Sequence, residues 1–296
     1  MDIIHHSLIG GVGAVILSSA GYEIAAAAFV AGSILPDLDV CFMVLGKRFY
    51  LQNHQGITHS LFLAPIYAVL LICLPLLWLL NLSWQWPVFL AALGGLIIHI
   101  TLDLSNTFRI QIFAPFIKSR YSLDAVFFID SVTLFMTAMF YLLHLNYEEK
   151  INMLWYPSVF VCYVLVKWML HYKVKQKLLC NFAIPSALNP FEFYILEITN
   201  EKLEGYIFNS LTNKKRKKVG YLPVGNEYLE LAKQSQIFKD MAGISRAFYI
   251  TEINRSEDSF ELVAQDLAVR NFGGRFAKTK IIFNKQGKIL HEEANI

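Results

Sequence analysis

Four long segments almost free of charge constrain this chain more than any other feature of its sequence. Each approaches or reaches the length of about 20 apolar residues that an α-helix needs to cross a bilayer, and Lys167 is the one lysine, arginine or glutamate within them. The segments are Ser60–Leu80, Trp84–Leu104, Ala125–Leu145 and Tyr156–Leu170. Uninterrupted apolar segments of this length are typical of membrane-spanning helices and not of soluble globular folds. We therefore expect a helical membrane protein.

Two shorter apolar stretches precede these segments. Ile3–Ser19 and Tyr22–Leu35 are separated by Ala20 and Gly21, and both are short for an independent span. We expect them to form a tight helical hairpin packed against the other helices. Residues 1–179 are therefore predicted to be an all-α polytopic membrane bundle.

The second part of the chain has a different composition. Charged residues make up 19 of the first 179 positions but 30 of the remaining 117. Val, Ile, Phe and Tyr-rich strand patterns occur at Phe191–Ile198, Ala247–Ile253, Ser259–Ala264 and Lys280–Phe283. Gly287 suits the turn of a final hairpin, and Glu227–Asp240 is the best helix candidate. We predict a small β-rich (α+β) soluble domain at 180–296, joined through a linker that contains Pro185, Asn189 and Pro190.

Basic residues predict the orientation in the membrane. If Ser60–Leu80 leaves one side, eight lysines and arginines outside the spans lie on that side and Lys150 alone lies on the other. Cytoplasmic loops carry the excess of lysine and arginine, so the basic side and the C-terminal domain are expected in the cytosol. The run Lys214–Lys218 is either a solvated turn or a patch attracted to anionic lipid headgroups. A net charge of +3 is too small to suggest a nucleic-acid partner, and nothing fixes the oligomeric state.

Histidine and aspartate are the informative exceptions in the membrane part, because ionisable groups there are costly and usually functional. In the predicted topology they all lie at the cytoplasmic ends of their segments. The candidates are His5, His6, Asp37, Asp39, His54, His59, His99, Asp103 and Asp130. Each one alone is more typical of a cap or an interfacial residue. Their convergence at one face of a charge-poor bundle predicts a divalent metal site.

The spacing of these residues predicts which of them bind the metal. His99 and Asp103 are four residues apart, which places them on one helix face within reach of one metal ion. Pro36 favours ending the preceding helix at Leu35, and in an extended segment Asp37 and Asp39 would point the same way. His5 and His6 diverge by about 100° on a helix, so we expect one of them to face the site. We predict a metal held by His99, Asp103, one of His54 and His59, and one of Asp37 and Asp39.

The set of motifs resembles the LexA-regulated, membrane-bound metal-dependent hydrolases of the YdjM/YfhP type, which are bacterial inner-membrane proteins. The matching residues are the pair His5 and His6, Gly32–Asp39, His54–Ser60, His99 with Asp103, and Phe128–Asp130. Gln55 departs from the pattern, since the family usually carries arginine there. The resemblance covers residues 1–145, and a more distant similarity to zinc-dependent phospholipase C implies zinc, with one or two ions.

The resemblance also implies a function. We expect a phosphoester hydrolase that acts on a lipid or lipid-linked substrate at the cytoplasmic membrane face, with membrane lipids as its partners. Asp37 or Asp130 would accept a proton from water. Arg109, Lys118 or Arg120 would hold the phosphate. The alternative is a membrane scaffold whose metal site is structural and whose soluble domain carries the interaction.

Overall fold

The computed structural model describes residues 2–147, 153–198, 203–220, 226–245, 247–270 and 277–295. Its first part is helical. The elements are α1 (Ile3–Ser19), α2 (Glu23–Ile34), a 3-10 segment (Leu35–Leu45), α3 (Lys47–Asn53), a 3-10 turn (Ile57–His59), α4 (Ala64–Tyr67), a π segment (Ala68–Cys73), α5 (Leu74–Leu79), α6 (Trp86–Ser105), α7 (Ser131–Tyr147) and α8 (Trp155–Leu178). Lys150, the basic residue predicted on the far side of the membrane, lies outside the described residues.

Two stretches of the described chain are long and apolar enough to cross a bilayer, Glu23–Leu45 and Trp86–Ser105. The pair Lys47–His59 and Ala64–Leu79, bent by 89°, makes a third if it is one broken span. Exposed apolar side chains such as Trp78 and Leu90 suit contact with lipid. The helical first part agrees with the sequence, while the number of crossings stays a prediction.

The helices differ from the predicted segments at their ends. The second apolar stretch continues past Leu35, because Pro36 fits the first turn of the 3-10 segment, where its missing N–H is not needed. α7 begins at Ser131, later than the predicted Ala125, because the Asp130 carboxylate accepts hydrogen bonds from the first amides of that helix. α8 runs eight residues beyond the predicted end at Leu170.

α2 and α6 pack unusually closely, and two glycines allow it. A Cβ atom on Gly32 would lie 2.3 Å from the carbonyl oxygen of Ala92, and one on Gly95 would lie 2.2 Å from that of Phe29. Real Cβ atoms do not approach backbone this closely, so the contact requires glycine on both helices. α1 also packs against α2.

The described residues of the second part form two four-stranded antiparallel sheets, each with its strands in sequential order. The first sheet is β1 (Phe182–Pro185), β2 (Glu192–Ile198), β3 (Leu203–Asn209) and β4 (Lys214–Gly220); the second is β5 (Phe248–Arg255), β6 (Ser259–Asp266), β7 (Lys278–Asn284) and β8 (Ile289–Asn295). Between them lie α9 (Asn226–Ala232) and α10 (Gln236–Ile244), and α11 (Leu267–Arg270) follows β6. Gly287 has a φ of +79° in the β7–β8 turn, as the hairpin predicts.

Three predictions for this part are wrong. Glu227–Asp240 is two helices, because the Ser235 hydroxyl accepts from the amide of Phe238 and starts α10 there. The predicted linker contains a strand, Phe182–Pro185. The basic run is strand β4, paired with β3, and so is not a turn; the side chains of Lys217 and Lys218 lie outside the described residues.

The two parts of the chain share packing. Phe127, in the loop before α7, is fully buried in a cluster with Ile184, Tyr194 and Leu267 of the C-terminal part. Asp240 of α10 lies 3.4 Å from the Arg48 guanidinium of α3. The C-terminal part is therefore held against the end of the bundle that carries the histidines and aspartates.

Candidate metal centre

Four separate elements bring histidine and aspartate to one point. α1 carries His6, the 3-10 segment carries Asp37, the 3-10 turn carries His59, and α6 carries His99 and Asp103. The three histidines and Asp103 are fully or almost fully buried, and the Asp37 side chain is 12% exposed. We call these five residues the His/Asp cluster.

Neighbouring donor atoms of the cluster lie close to the separations expected around one shared ion. Asp103 Oδ1 is 3.0 Å from His6 Nε2, and Asp103 Oδ2 is 3.1 Å from His59 Nε2. His99 Nε2 is 3.2 Å from His59 Nε2 and 3.5 Å from Asp37 Oδ1. Ligands at 2.0–2.1 Å around a tetrahedral zinc ion would lie about 3.4 Å apart. His6, Asp37, His99 and Asp103 each offer one donor atom within 4.8 Å of the others.

The tautomer of His99 supports its role as a metal ligand. Its Nδ1 is 2.7 Å from the carbonyl oxygen of Ser33, and a carbonyl only accepts, so Nδ1 carries the proton. The lone pair of Nε2 then points into the cluster, which is the tautomer that a metal ligand needs. Asp37 Oδ2 is buried and makes no hydrogen bond within the described part of the chain. The residues present therefore fit a divalent cation.

The close contact of α2 and α6 makes the hydrogen bond between His99 and the Ser33 carbonyl oxygen possible. Gly95 lies one turn before His99 on α6, and Gly32 directly precedes Ser33 on α2. Because both glycines let the backbones approach, the Ser33 carbonyl oxygen comes within reach of the imidazole. No sequence pattern indicates this carbonyl, since a backbone acceptor leaves no mark in a sequence.

Asp39 and His54 lie beside the cluster and organise the loop that carries His59. Asp39 Oδ1 is 2.9 Å from His54 Nδ1, and Asp39 Oδ2 accepts from the amide of Gln55 and from the Thr58 hydroxyl. The Oδ2 atom is 4.0 Å from His59 Nδ1. Asp39 thus fixes the loop from behind, and the contacts of His54 are with Asp39 and with the ring of Tyr50.

Asp37 and Asp39 point to different partners because the segment is helical, and the expected extended geometry is wrong. Successive residues of a 3-10 helix turn by about 120°, so residues two apart diverge. Asp37 therefore meets His6 and His99, and Asp39 meets the loop. Only in a strand would the two carboxylates share a face.

The adjacent histidines of α1 also separate. His6 enters the cluster, where its ring stacks on His99 with centroids 3.7 Å apart. His5 Nδ1 is 2.9 Å from Asp2 Oδ1, and the same carboxylate accepts from the His5 amide as the N-cap of α1. The structure thus places His5 outside the cluster, against Asp2, which no sequence motif indicates.

Of the residues predicted to act on water or substrate, Asp37 belongs to the cluster, whereas Asp130, Arg109 and Arg120 contact other groups. Asp130 accepts from the amides of Val132 and Thr133 and from the Tyr163 hydroxyl. The Arg120 guanidinium donates to two backbone carbonyl oxygens, that of Arg109 at 3.2 Å and that of His54 at 3.0 Å. Burial lowers the pKa of Arg120 to about 10, so it stays charged at neutral pH. Arg120 is thereby a support of the His54 loop, and Lys118 is exposed.

A cavity of about 450 Å³ reaches the cluster at Asp37. Tyr50, His54 and Gln55 line it, and so do Phe108 and Phe128 from the loops before and after residue 120. Met241, Ile244, Ser245, Asp266 and Ala277 of the C-terminal part also line it. We call it the interface cavity, because both parts of the chain form its walls.

Comparisons with known proteins agree with a membrane protein. The uncharacterized protein YfhP of Bacillus subtilis (strain 168) is 27% identical over 157 residues, which are 51% of this chain and 46% of that protein. The matching segment thus spans less than half the length of this relative. No solved structure matches the chain. The family described as YdjM inner membrane protein matches residues 1–174, which include the whole His/Asp cluster. This chain therefore belongs to the YdjM inner membrane protein family.

Proposed function

We propose that the protein is a membrane-bound, metal-dependent hydrolase that cleaves a phosphoester of a lipid or lipid-linked molecule. One observation carries the proposal: five candidate ligands converge where a cavity reaches one of them, Asp37. A structural zinc site is closed by four protein ligands, whereas a catalytic site keeps a position for water or substrate. The cavity gives a substrate a route to such a position.

His6, His99 and Asp103 would hold the ion together with Asp37 or His59, and zinc is suited to this mixture of nitrogen and oxygen donors. When bound, a divalent ion lowers the pKa of a coordinated water and polarises a phosphoryl oxygen. Asp37 is the member of the cluster that borders the cavity, so we assign it either to the ion or to accepting the proton of the attacking water. Ser33 and Asp39 orient the ligands from behind, as second contacts of metal sites do.

The site and the C-terminal part are proposed to face the cytosol. The family is one of inner membrane proteins, and the excess of lysine and arginine lies on the same side as the cluster in the multi-pass topology proposed from the sequence. Reporter fusions at the C-terminus check this orientation independently of the chemistry. A periplasmic C-terminus would contradict it.

Hydrolysis is tested with detergent-purified protein, assayed for metal and for turnover of a panel of phosphoesters and phospholipids. The test variants are His99→Ala and Asp103→Asn, and the matched control is His291→Ala, an exposed histidine of β8. We expect metal-dependent turnover in the wild type and control, and at least a hundredfold loss in the two cluster variants, comparable to losing about 2.7 kcal/mol of transition-state stabilisation.

A structural metal site in a membrane scaffold is the second candidate, favoured by the complete burial of His6, His59, His99 and Asp103. A closed site would hold its ion without turnover. Bound metal together with no hydrolysis that responds to His99→Ala would therefore favour the scaffold over the hydrolase.

A further inference from the structure

The lining of the interface cavity indicates what kind of ligand it binds. This inference rests on the proposed function and extends it to the class of substrate. Most of its lining is apolar, with aromatic rings from Phe108, Phe128 and Tyr50. Its charged residues among the described part of the chain are Asp2, Asp37 and Asp266, all acidic. A ligand of this cavity therefore needs an apolar body and, away from the metal, a group that donates hydrogen bonds or carries positive charge.

The C-terminal part supplies the polar end. Asp266 is 1% exposed, and one of its oxygens accepts from the amide of Ala268 at 2.8 Å. Burial raises the pKa of Asp266, with smaller opposing effects from Ser245 and Ala268, because the ionised form is poorly solvated. The Ser245 hydroxyl, 7% exposed, lies near this carboxylate but makes no hydrogen bond of good geometry within the described residues. Two buried polar groups thus border the cavity with bonding capacity left over.

The wall that carries these groups is held in place. Asp240 of α10 lies 3.4 Å from Arg48 Nε and 3.3 Å from Gln52 Nε2, both on α3. Lys47, at the start of α3, donates to the carbonyl oxygen of Ala294 in β8 at 3.1 Å. These contacts fix α10 and the second sheet over the cavity without occupying it.

An exposed apolar edge lies beside this cavity. Val40 and Met43 line it from the 3-10 segment, and the same segment presents Val44 and Leu45 outward, 89% and 67% exposed. Such an apolar edge suits contact with lipid. Buried aromatic rings beside carboxylates are also the usual surroundings of bound ammonium groups.

We propose that the interface cavity binds an amphiphile with an amine-bearing head group, and that Asp266 of the C-terminal part recognises its ammonium. The phosphoester of such a molecule would lie at the His/Asp cluster and its positive nitrogen at Asp266. The C-terminal part is on this account a determinant of substrate specificity.

The test compares two short-chain probes, phosphatidylethanolamine and its N-acetylated form, which lacks the positive charge. Binding to the full-length protein in nanodiscs is measured by calorimetry, with metal removed and with metal added, beside turnover of the same lipids. Asp266→Asn keeps the oxygen that accepts from Ala268, and exposed Asp258→Asn in the neighbouring turn is the matched control. Ile244→Trp fills the cavity from the C-terminal side and should weaken both probes.

We expect the amine lipid to bind at least tenfold more tightly in the wild type and in Asp258→Asn, a difference of about 1.4 kcal/mol, and the preference to vanish in Asp266→Asn. Equal binding of the two probes, or a preference that survives Asp266→Asn, would overturn the proposal. So would tighter binding of the N-acetylated lipid. Amine-selective binding without turnover would refute only the hydrolase, and turnover without selectivity would refute only the role of Asp266.

Discussion

The close contact between α2 and α6 makes a sharp prediction about Gly95. In Gly95→Ala, the new Cβ atom would lie 2.2 Å from the Phe29 carbonyl oxygen and 2.9 Å from the Ser33 amide nitrogen. Ordinary contact begins at 3.4 Å, so the helices must separate locally by roughly 1 Å. The 2.7 Å hydrogen bond from His99 to the Ser33 carbonyl oxygen would then stretch beyond bonding distance.

Two effects of opposite sign act on this variant. Alanine favours a helix over glycine by about 1 kcal/mol. Forcing an extra carbon into a packed interface costs about 1–3 kcal/mol, so the net change is destabilising. Loss of the hydrogen bond that orients a metal-bound histidine lowers metal affinity by about 10–100-fold. We therefore expect lower thermal stability and weaker metal binding together.

Gly94→Ala is the matched control. It lies on the same helix one residue away, and its Cβ atom would lie 3.5 Å from the ring of Phe29, an ordinary contact. We expect it to bind metal like the wild type and to be equally or slightly more stable. Thermal unfolding and competition with a metal-binding dye measure both quantities. If Gly95→Ala matches Gly94→Ala in both, the argument from the close contact is wrong.

Three further predictions follow from the geometry. Asp39→Asn should weaken metal binding by about 10–100-fold without removing a ligand, measured by dye competition; an unchanged affinity would contradict its role. Lys167→Met should lower the thermal midpoint, because the buried ammonium donates to Pro190 at 2.7 Å. Burial raises the pKa of Asp266, so the wild type should lose stability relative to Asp266→Asn as pH rises above about 4, and a pH-independent difference would refute this.

Much of the fold follows from local patterns in the sequence. α1 and α6 occupy the predicted apolar stretches nearly to the residue, and the final hairpin turns at Gly287. Hydrophobic length and turn chemistry determine these elements without help from distant residues. The misplaced boundaries depend on other contacts: Asp130 starts α7, and Ser235 divides the predicted helix of the C-terminal part.

The candidate site divides in the same way. Histidine and aspartate at the ends of apolar segments indicate a shared polar site, because the membrane leaves such residues few other places. Their individual positions depend on backbone geometry that the sequence does not display. Asp37 and Asp39 separate because a 3-10 helix replaces the expected extended chain, and the Ser33 carbonyl reaches His99 because two glycines permit it.

X-ray absorption spectroscopy at the zinc edge, on the full-length protein, tests most directly whether the His/Asp cluster binds a divalent metal. We expect stoichiometric zinc bound by nitrogen and oxygen only, with imidazole scattering that weakens in His99→Ala and stays unchanged in His291→Ala. A folded wild-type protein that takes up no zinc would contradict the account. Sulfur in the first shell, from any of the four cysteines, would contradict it equally.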